Sequence, residues 1–384
     1  MSNDKNAQEL LKWGLAHSSN AVTAAPGPSV EQISADIKAG RRPDLADPHL
    51  YDAIMGKSEA QMMREELSVA VDAARTLEDR CTALDNFEML IEQIDNANNI
   101  TSMKMWPPLI ALLSASEPEL QTAAAWILGT AVQNNDKAQM AVLEYAPVQS
   151  LLALLQSSSA EVRGKAMYAL SGLLKHNPAA MDQFDKAHGW TVLRSALVDP
   201  SIGVRRKTAF LLNALLFQDP NTLSSPTPTP PAPTSTATAL APAHTSANAP
   251  PIPLERAPAT TLTSTPHPNV SRALLASDLL STLTASLLGT ADLPPSGPDG
   301  DTDAHADLDY AEKAASAVLT FTAKLPDQGT AQLLGDKARA QLRDLLVHLQ
   351  GKALDAADGA TSRWAELGIE QGDFEAFKSK VQAL

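Results

Sequence analysis

Leu109-Ile110-Ala111-Leu112-Leu113 recurs 42 residues later as Leu151-Leu152-Ala153-Leu154-Leu155. In the same register Leu120 matches Val162, Ala124 matches Ala166, Trp126 matches Tyr168 and Leu128 matches Leu170. A second step of 42 carries Val162, Lys165, Tyr168, Leu170 and Leu173 onto Val204, Lys207, Phe210, Leu212 and Leu215. Within a unit the apolar residues keep helical spacing. Val162, Ala166, Met167, Ala169, Leu170, Leu173 and Leu174 share one broad helix face. No persuasive period-2 strand accompanies them. A helix-only repeat of about 40–47 residues predicts an all-α, armadillo-like right-handed superhelix. One such unit cannot bury its apolar face alone, so neighbouring units complete the core.

Each unit reads as a short helix, a second helix and a longer third helix. In the middle unit these fall at about 137–145, 148–155 and 160–175. Ala146-Pro147 separates the first two, as Gly189 does one unit later. Ser116-Glu117-Pro118 and Asp199-Pro200-Ser201 supply cap and first-turn signals for the third helices. Upstream, Thr82 to Ile91 reads as the third helix of a preceding unit. Downstream, 273–288 and 310–324 read as the second and third helices of a fourth, with 332–351 as a terminal cap.

Two stretches break the pattern. Residues 224–268 hold 12 of the chain's 27 prolines, and Glu255 and Arg256 are their only charges. That Ala/Pro/Ser/Thr composition cannot bury enough apolar surface to offset ordering entropy, so the segment reads as a disordered insertion. Between Asp292 and Glu312 lie seven acidic residues and no Lys or Arg. Asp299, Asp301 and Asp303 start like a calcium loop, but Ala304 replaces the turn glycine and Tyr310 the bidentate glutamate. A solvated acidic loop over 292–309 is the simpler reading. The domains expected are a flexible segment 1–45, a cap and repeats over 46–220, the insertion 221–268, a last repeat and capping helix over 269–350, and a tail 351–384 with a short helix.

The net charge of −14 argues against phosphate-rich partners, nucleic acid and anionic lipid alike. One cysteine, Cys81, forms no internal disulfide and no Cys-based zinc site, which implies a reducing compartment. No apolar run reaches the roughly 20 residues of a membrane span. Gly56-Lys57-Ser58 ends like a phosphate loop, but Tyr51 stands where its first glycine belongs. The eight histidines form no close ligand pair, and no nucleophile elbow appears. The chain therefore reads as a binding scaffold, with no catalytic, metal-binding or cofactor residues expected. Residues 4–17 read as a small amphipathic helix carrying Leu10, Leu11, Trp13 and Leu15. That segment is either a cap over the first repeat or a tethered apolar ligand.

Leu10-Leu11-Lys12-Trp13, the string Asp85 to Glu92, Ile94-Asp95-Asn96-Ala97-Asn98-Asn99 and Ile127 to Asn135 together resemble one family. It is the fungal Fes/Hsp-binding-protein family of armadillo-type nucleotide exchange factors. These serve the cytosolic seventy-kilodalton heat-shock chaperone. The likeness is close over 80–217 and recognisable over 1–80; after 220 the insertions depart from it. It implies a non-enzymatic co-chaperone, monomeric and cytoplasmic with a possible nuclear pool, that grips the chaperone's nucleotide-binding domain. ADP then leaves and client is released. It also implies that the N-terminal segment, with Leu10, Leu11, Trp13 and Leu15, is a client mimic. The competing reading is a general armadillo adaptor for extended peptides.

The partner face is expected on the third helices. Asn96, Ala97 and Asn98 are read as ending one of them, and Asn134 and Asn135 the next, where asparagine also serves as a C-cap. Lys165 and Lys207 are equivalents 42 apart, and Arg205 lies beside Lys207. Ala97, small enough for close approach, and Lys207, able to pair with a carboxylate, are the contacts expected to matter most.

Overall fold

A computed structural model describes residues 39, 41, 57–225, 268–291, 307–326, 330–352 and 362–384. Its turns keep the repeat's register. Lys104, Ala146 and His188, at φ of 57°, 49° and 58°, fall on the same position of successive units. Asn134 and His176, at 53° and 54°, do the same at a second turn. Left-handed backbone at a non-glycine residue is uncommon, so its recurrence at one spacing marks a repeated supersecondary unit.

Between these turns run the helices. The first pair is α1 (Glu59–Val71) and α2 (Leu77–Ile91). Four three-helix units follow. They are α3 (Ile94–Ser102), α4 (Trp106–Leu112) and α5 (Pro118–Val132); then α6 (Asp136–Leu143), α7 (Pro147–Leu154) and α8 (Ala160–Leu174). The next are α9 (Pro178–Lys186), α10 (Gly189–Leu197) and α11 (Ile202–Gln218); then α12 (Val270–Ala276), α13 (Leu279–Leu287) and α14 (Leu308–Ala323). Terminal helices α15 (Thr330–Leu333), α16 (Asp336–Gln350), α17 (Arg363–Glu366) and α18 (Gln371–Gln382) close the array.

Local sequence explains the helix starts. Side chains of Ser58, Thr76, Asn135, Ser159, Asn177, Asn269 and Asp307 each accept a first-turn N–H. Each cap is worth about 1 kcal/mol. Pro118, Pro147 and Pro178 open α5, α7 and α9, where a missing N–H costs nothing. Third helices pack side by side along the array, α2 on α5, α5 on α8, α8 on α11 and α11 on α14. Leu120, Ile127, Met167, Leu170, Leu212, Val318 and Phe321 are buried between the layers. Each contributes on the order of 1.5–3 kcal/mol on burial.

Two expectations are corrected. The stretch 273–288 is two helices, because Asp278 takes the left-handed turn at φ 60° between α12 and α13, as Ala146 does between α6 and α7. The acidic stretch does not remain a loop to 309: Asp307 caps α14, and both Asp307 and Asp309 pair with Arg206 of α11. Within the C-terminal tail, α18 buries Phe374, Phe377 and Val381 and packs on α14 and α16.

The long insertion does not disturb the stacking, because its two described stems meet. The buried Asp219 carboxylate accepts from the Val270 N–H at 2.7 Å and the Asn221 N–H at 2.8 Å. Asn269 Nδ2 donates to the Thr222 carbonyl at 2.8 Å. Among the described residues no helix is long and apolar enough to cross a membrane.

Candidate partner-binding face

The third helices present one continuous face, and polar or aromatic rungs cross every junction on it. Between α2 and α5, Thr130 Oγ1 donates to Glu88 Oε1 at 2.6 Å. Between α5 and α8, Lys165 Nζ lies 3.4 Å from the Trp126 ring centroid, and Tyr168 Oη donates to Gln133 Oε1 at 2.6 Å. From α8 to α11, Lys175 Nζ sits 4.8 Å over the Phe210 ring, and the His176 N–H donates to Gln218 Oε1 at 2.8 Å. The α11–α14 junction is crossed by Thr320 Oγ1 donating to Asn213 Oδ1 at 2.7 Å.

Close helix approach makes these rungs possible. A β-carbon on Gly129 would stand 2.5 Å from the Tyr168 ring, far inside contact distance. Glycine there lets α8 lay its tyrosine flat on α5. At Gly164, by contrast, a β-carbon would meet Lys207 Nζ at 3.8 Å, an ordinary contact.

The face is graded in charge. At the α2 end Asp85 and Glu92 are exposed beside Met89. Toward α8 and α11 it becomes basic and aromatic, with Lys165, Lys175 and Lys207 alongside Tyr168, Phe210 and Phe217. Phe210 is 47% exposed and Phe217 is 79% exposed, an unusual state for two aromatic side chains on one stripe. Burial lowers the Lys165 ammonium's pKa; the Glu88 carboxylate opposes that fall and the like charge of Lys207 adds to it. Gln133, Asn134, Tyr168, Gly172, Lys175 and His176 line a cavity of about 440 Å³ at the C-terminal ends of α5 and α8.

The sequence-derived site residues divide into two groups. Lys165 and Lys207 lie together on this face; Lys207 is exposed and Lys165 half-buried. Asn134 is exposed at the left-handed turn after α5 and borders the cavity. The others are corrected. Asn96, Ala97 and Asn98 do not end a third helix; they form the first turns of α3. Asn96 is 4% exposed and its Nδ2 donates to Glu59 Oε2 at 2.8 Å and to the Leu90 carbonyl at 2.9 Å. Ala97 is 2% exposed, so its small size serves core packing, and Asn98 is half-buried. Asn135 is a buried N-cap of α6. Arg205 is fully buried, because position 205 falls on the same side of α11 as Val204, Thr208 and Leu212. Leu10, Leu11, Trp13 and Leu15 lie outside the described residues.

Sequence reasoning missed Phe217, Lys175 and the Glu88–Thr130 rung. The signal was available for the last: Glu88 and Thr130 stand one repeat length, 42 residues, apart. Cys81 is half-buried; burial, then the Glu119 and Asp85 carboxylates, raise its thiol pKa, which makes it a poor nucleophile. Among the described residues no His/Cys/Asp/Glu cluster suits a metal ion.

Stacked three-helix units with a rung-crossed third-helix face define an armadillo-type repeat protein. Solved structures of designed armadillo repeat proteins share the fold. One, in complex with the peptide (KR)4, superposes with a TM-score of 0.53 at 14% identity, covering 85% of this chain and all of that one. Another, designed for modular peptide recognition, gives 0.52 at 14% identity over the same shares. The model for the nucleotide exchange factor Fes1 matches residues 7–100, and that for the SIL1/FES1/HPBP1 C-terminal domain matches 96–227. The Hsp70 nucleotide exchange factor FES1 of Mycosarcoma maydis is 65% identical over the full length of both chains. That of Cryptococcus neoformans is 40% identical over 48% of this chain and 51% of its own. The chain belongs to the Fes1 family.

Proposed function

We propose that this chain is an adenyl-nucleotide exchange factor and co-chaperone of Hsp70. The observation that carries the reading is full-length membership of the Fes1 family combined with an exposed Lys207–Phe210–Phe217 stripe on a stiffened third-helix face. The face binds the chaperone's nucleotide-binding domain in the conformer that holds ADP weakly. Binding that conformer more tightly than the closed one lowers ADP affinity by the same factor, since linkage is reciprocal. ADP leaves, ATP enters and client is released. No bond is made or broken by the factor itself, so its residues bind and position. A stable complex needs about 1,200–2,000 Å² of buried surface, which calls on several adjacent third helices.

The basic half of the face fits an acidic patch on the partner, with Phe210 and Phe217 as apolar anchors of the kind that dominate interface energies. Residues 1–45, with Leu10, Leu11, Trp13 and Leu15, act as a client mimic that slows rebinding, and the compartment is the cytoplasm. Release of labelled ADP from a cytosolic Hsp70 tests the reading. Wild type accelerates release at micromolar concentration. Lys207→Glu and Phe217→Ser each weaken the effect about tenfold or more, at 1.4 kcal/mol per decade, with an unchanged melt. No acceleration by wild type would sink the function; full activity of both variants would move the face elsewhere.

A further inference from the structure

The chain's four Ser-Pro or Thr-Pro dipeptides are Ser225-Pro226, Thr227-Pro228, Thr229-Pro230 and Thr265-Pro266, all in the insertion or at its border. Three run consecutively from Ser225. That serine is fastened to the folded body. Its N–H donates to the Thr222 carbonyl at 3.0 Å, and its Oγ accepts from the Thr222 N–H at 2.9 Å. Its own carbonyl accepts from Arg272 Nη2 at 2.6 Å. Ser225 is half-exposed and Arg272 exposed. A hydroxyl directly before proline, partly open to solvent, thus lies within one residue's reach of an unburied guanidinium.

We propose that Ser225 is a phosphorylation site for a proline-directed Ser/Thr kinase and that Arg272 receives the phosphate. In the transfer, the γ-phosphoryl group of ATP forms an ester bond to Ser225 Oγ. The bond to the β–γ bridging oxygen breaks, ADP leaves, and the hydroxyl proton passes to the kinase's general base. Phosphoserine carries about −1.5 to −2 charge and three strong acceptor oxygens. Against Arg272 it forms a charge-assisted, fork-shaped pair, stronger than the neutral carbonyl contact it supplements. The Thr222 N–H, which now donates to Oγ, adds a further donor.

The consequence is mechanical. Ser225 continues the stem that leaves α11, and Arg272 belongs to α12 of the last unit. A phosphate between them tightens the clasp already made by Asn269 with Thr222 and Asp219 with Val270. Modification thereby couples the helix that carries Lys207, Phe210 and Phe217 to the last unit.

The test uses the full chain with Thr227, Thr229 and Thr265 replaced by alanine, so that Ser225 is the remaining proline-directed acceptor. It is incubated with a proline-directed kinase and ATP, mapped by peptide mass spectrometry and titrated by phosphorus NMR. The expected result is one phosphate on Ser225 whose second ionisation lies below the ordinary value of about 6. Arg272→Gln, a change at an exposed side chain, should leave the modification intact and return that ionisation to about 6. Absence of phosphate from Ser225 would overturn the site. An ionisation identical with and without Arg272 would overturn its role.

Discussion

Arg163 of α8 and Arg205 of α11 occupy the same position 42 residues apart, and both are buried, at 8% and 0% exposure. Their surroundings differ. Arg163 donates from Nε and Nη2 to Asp199 at 2.7 and 2.8 Å, and from Nη1 to the Ser157 and Ser158 carbonyls at 2.9 and 3.0 Å. Arg205 has no hydrogen-bond partner at Nε, Nη1 or Nη2. Replacing each by methionine, which follows a similar unbranched path, should give opposite outcomes. Arg163→Met leaves the Asp199 carboxylate buried without its cation, a loss of about 3–5 kcal/mol. Arg205→Met removes unsatisfied buried donors, each costing about 1–3 kcal/mol. The attraction of Asp199 and Asp307 for Arg205 offsets part of this. Each of those acids also has an arginine of its own, Arg163 and Arg206. The net expectation for Arg205→Met is a gain of about 1–2 kcal/mol. At about 2–4 °C per kcal/mol for a body of this size, the two melts should separate by roughly 8–28 °C. Circular dichroism during heating, with urea midpoints as a second measure, reads this directly. Adding Asp199→Asn to Arg163→Met should recover much of the loss. A fall for Arg205→Met as large as that for Arg163→Met would show that its buried, unbonded donors cost nothing.

Gly129→Ala should destabilise by about 1–3 kcal/mol, the usual cost of overpacking, and Tyr168→Ser in the same chain should restore part of it by clearing the ring; additive losses in urea titrations would count against the close approach. Burial raises the Asp307 carboxyl's pKa, but hydrogen bonds from Arg206 and the Tyr310 N–H outweigh it and hold the group below its ordinary value. A depressed folded pKa gives stability that is complete above the unfolded value, near 3.9, and lost as pH falls through the folded one. Asp307→Asn should therefore be less stable than wild type at pH 7, with the gap closing as pH falls below the unfolded value; a gap independent of pH would show that the ion pair contributes nothing.

The architecture was legible because the same packing problem is solved several times at one spacing. A single Leu-rich helix says little, but three in register exclude most alternatives. Boundaries were legible wherever proline or a capping side chain stood, as at Ala146-Pro147 and Ser159. The split at Asp278 was hidden because an aspartate in left-handed backbone leaves no apolar gap between α12 and α13. The site was less legible, for a definite reason. Residue type alone does not separate a polar side chain that faces a partner from one that satisfies its own backbone. Asn96 and Asn135 do the latter, spending their amides on Leu90 and Ala138. Arg205 and Lys207 are two residues apart in sequence, about 200° around a helix of 3.6 residues per turn, so one is interior and the other exterior.

The rungs show what a repeat holds constant and what it leaves free. Gln133–Tyr168 and Lys175–Phe210 are the same pair of positions in successive junctions, yet the first is a hydrogen bond and the second a cation–π contact. Both hold neighbouring third helices at a fixed spacing, so the scaffold tolerates the exchange. Their surfaces differ: the tyrosine is tied down by its hydroxyl, while Phe210 keeps nearly half its area in water. One step along the stripe, Phe217 has no covering rung among the described residues and is the most exposed aromatic of them. An apolar ring left open where the equivalent positions are bridged costs hydration free energy in the isolated chain. That cost is recovered only when something apolar covers the ring, which is why Phe217 is the residue on which the docking face is best judged.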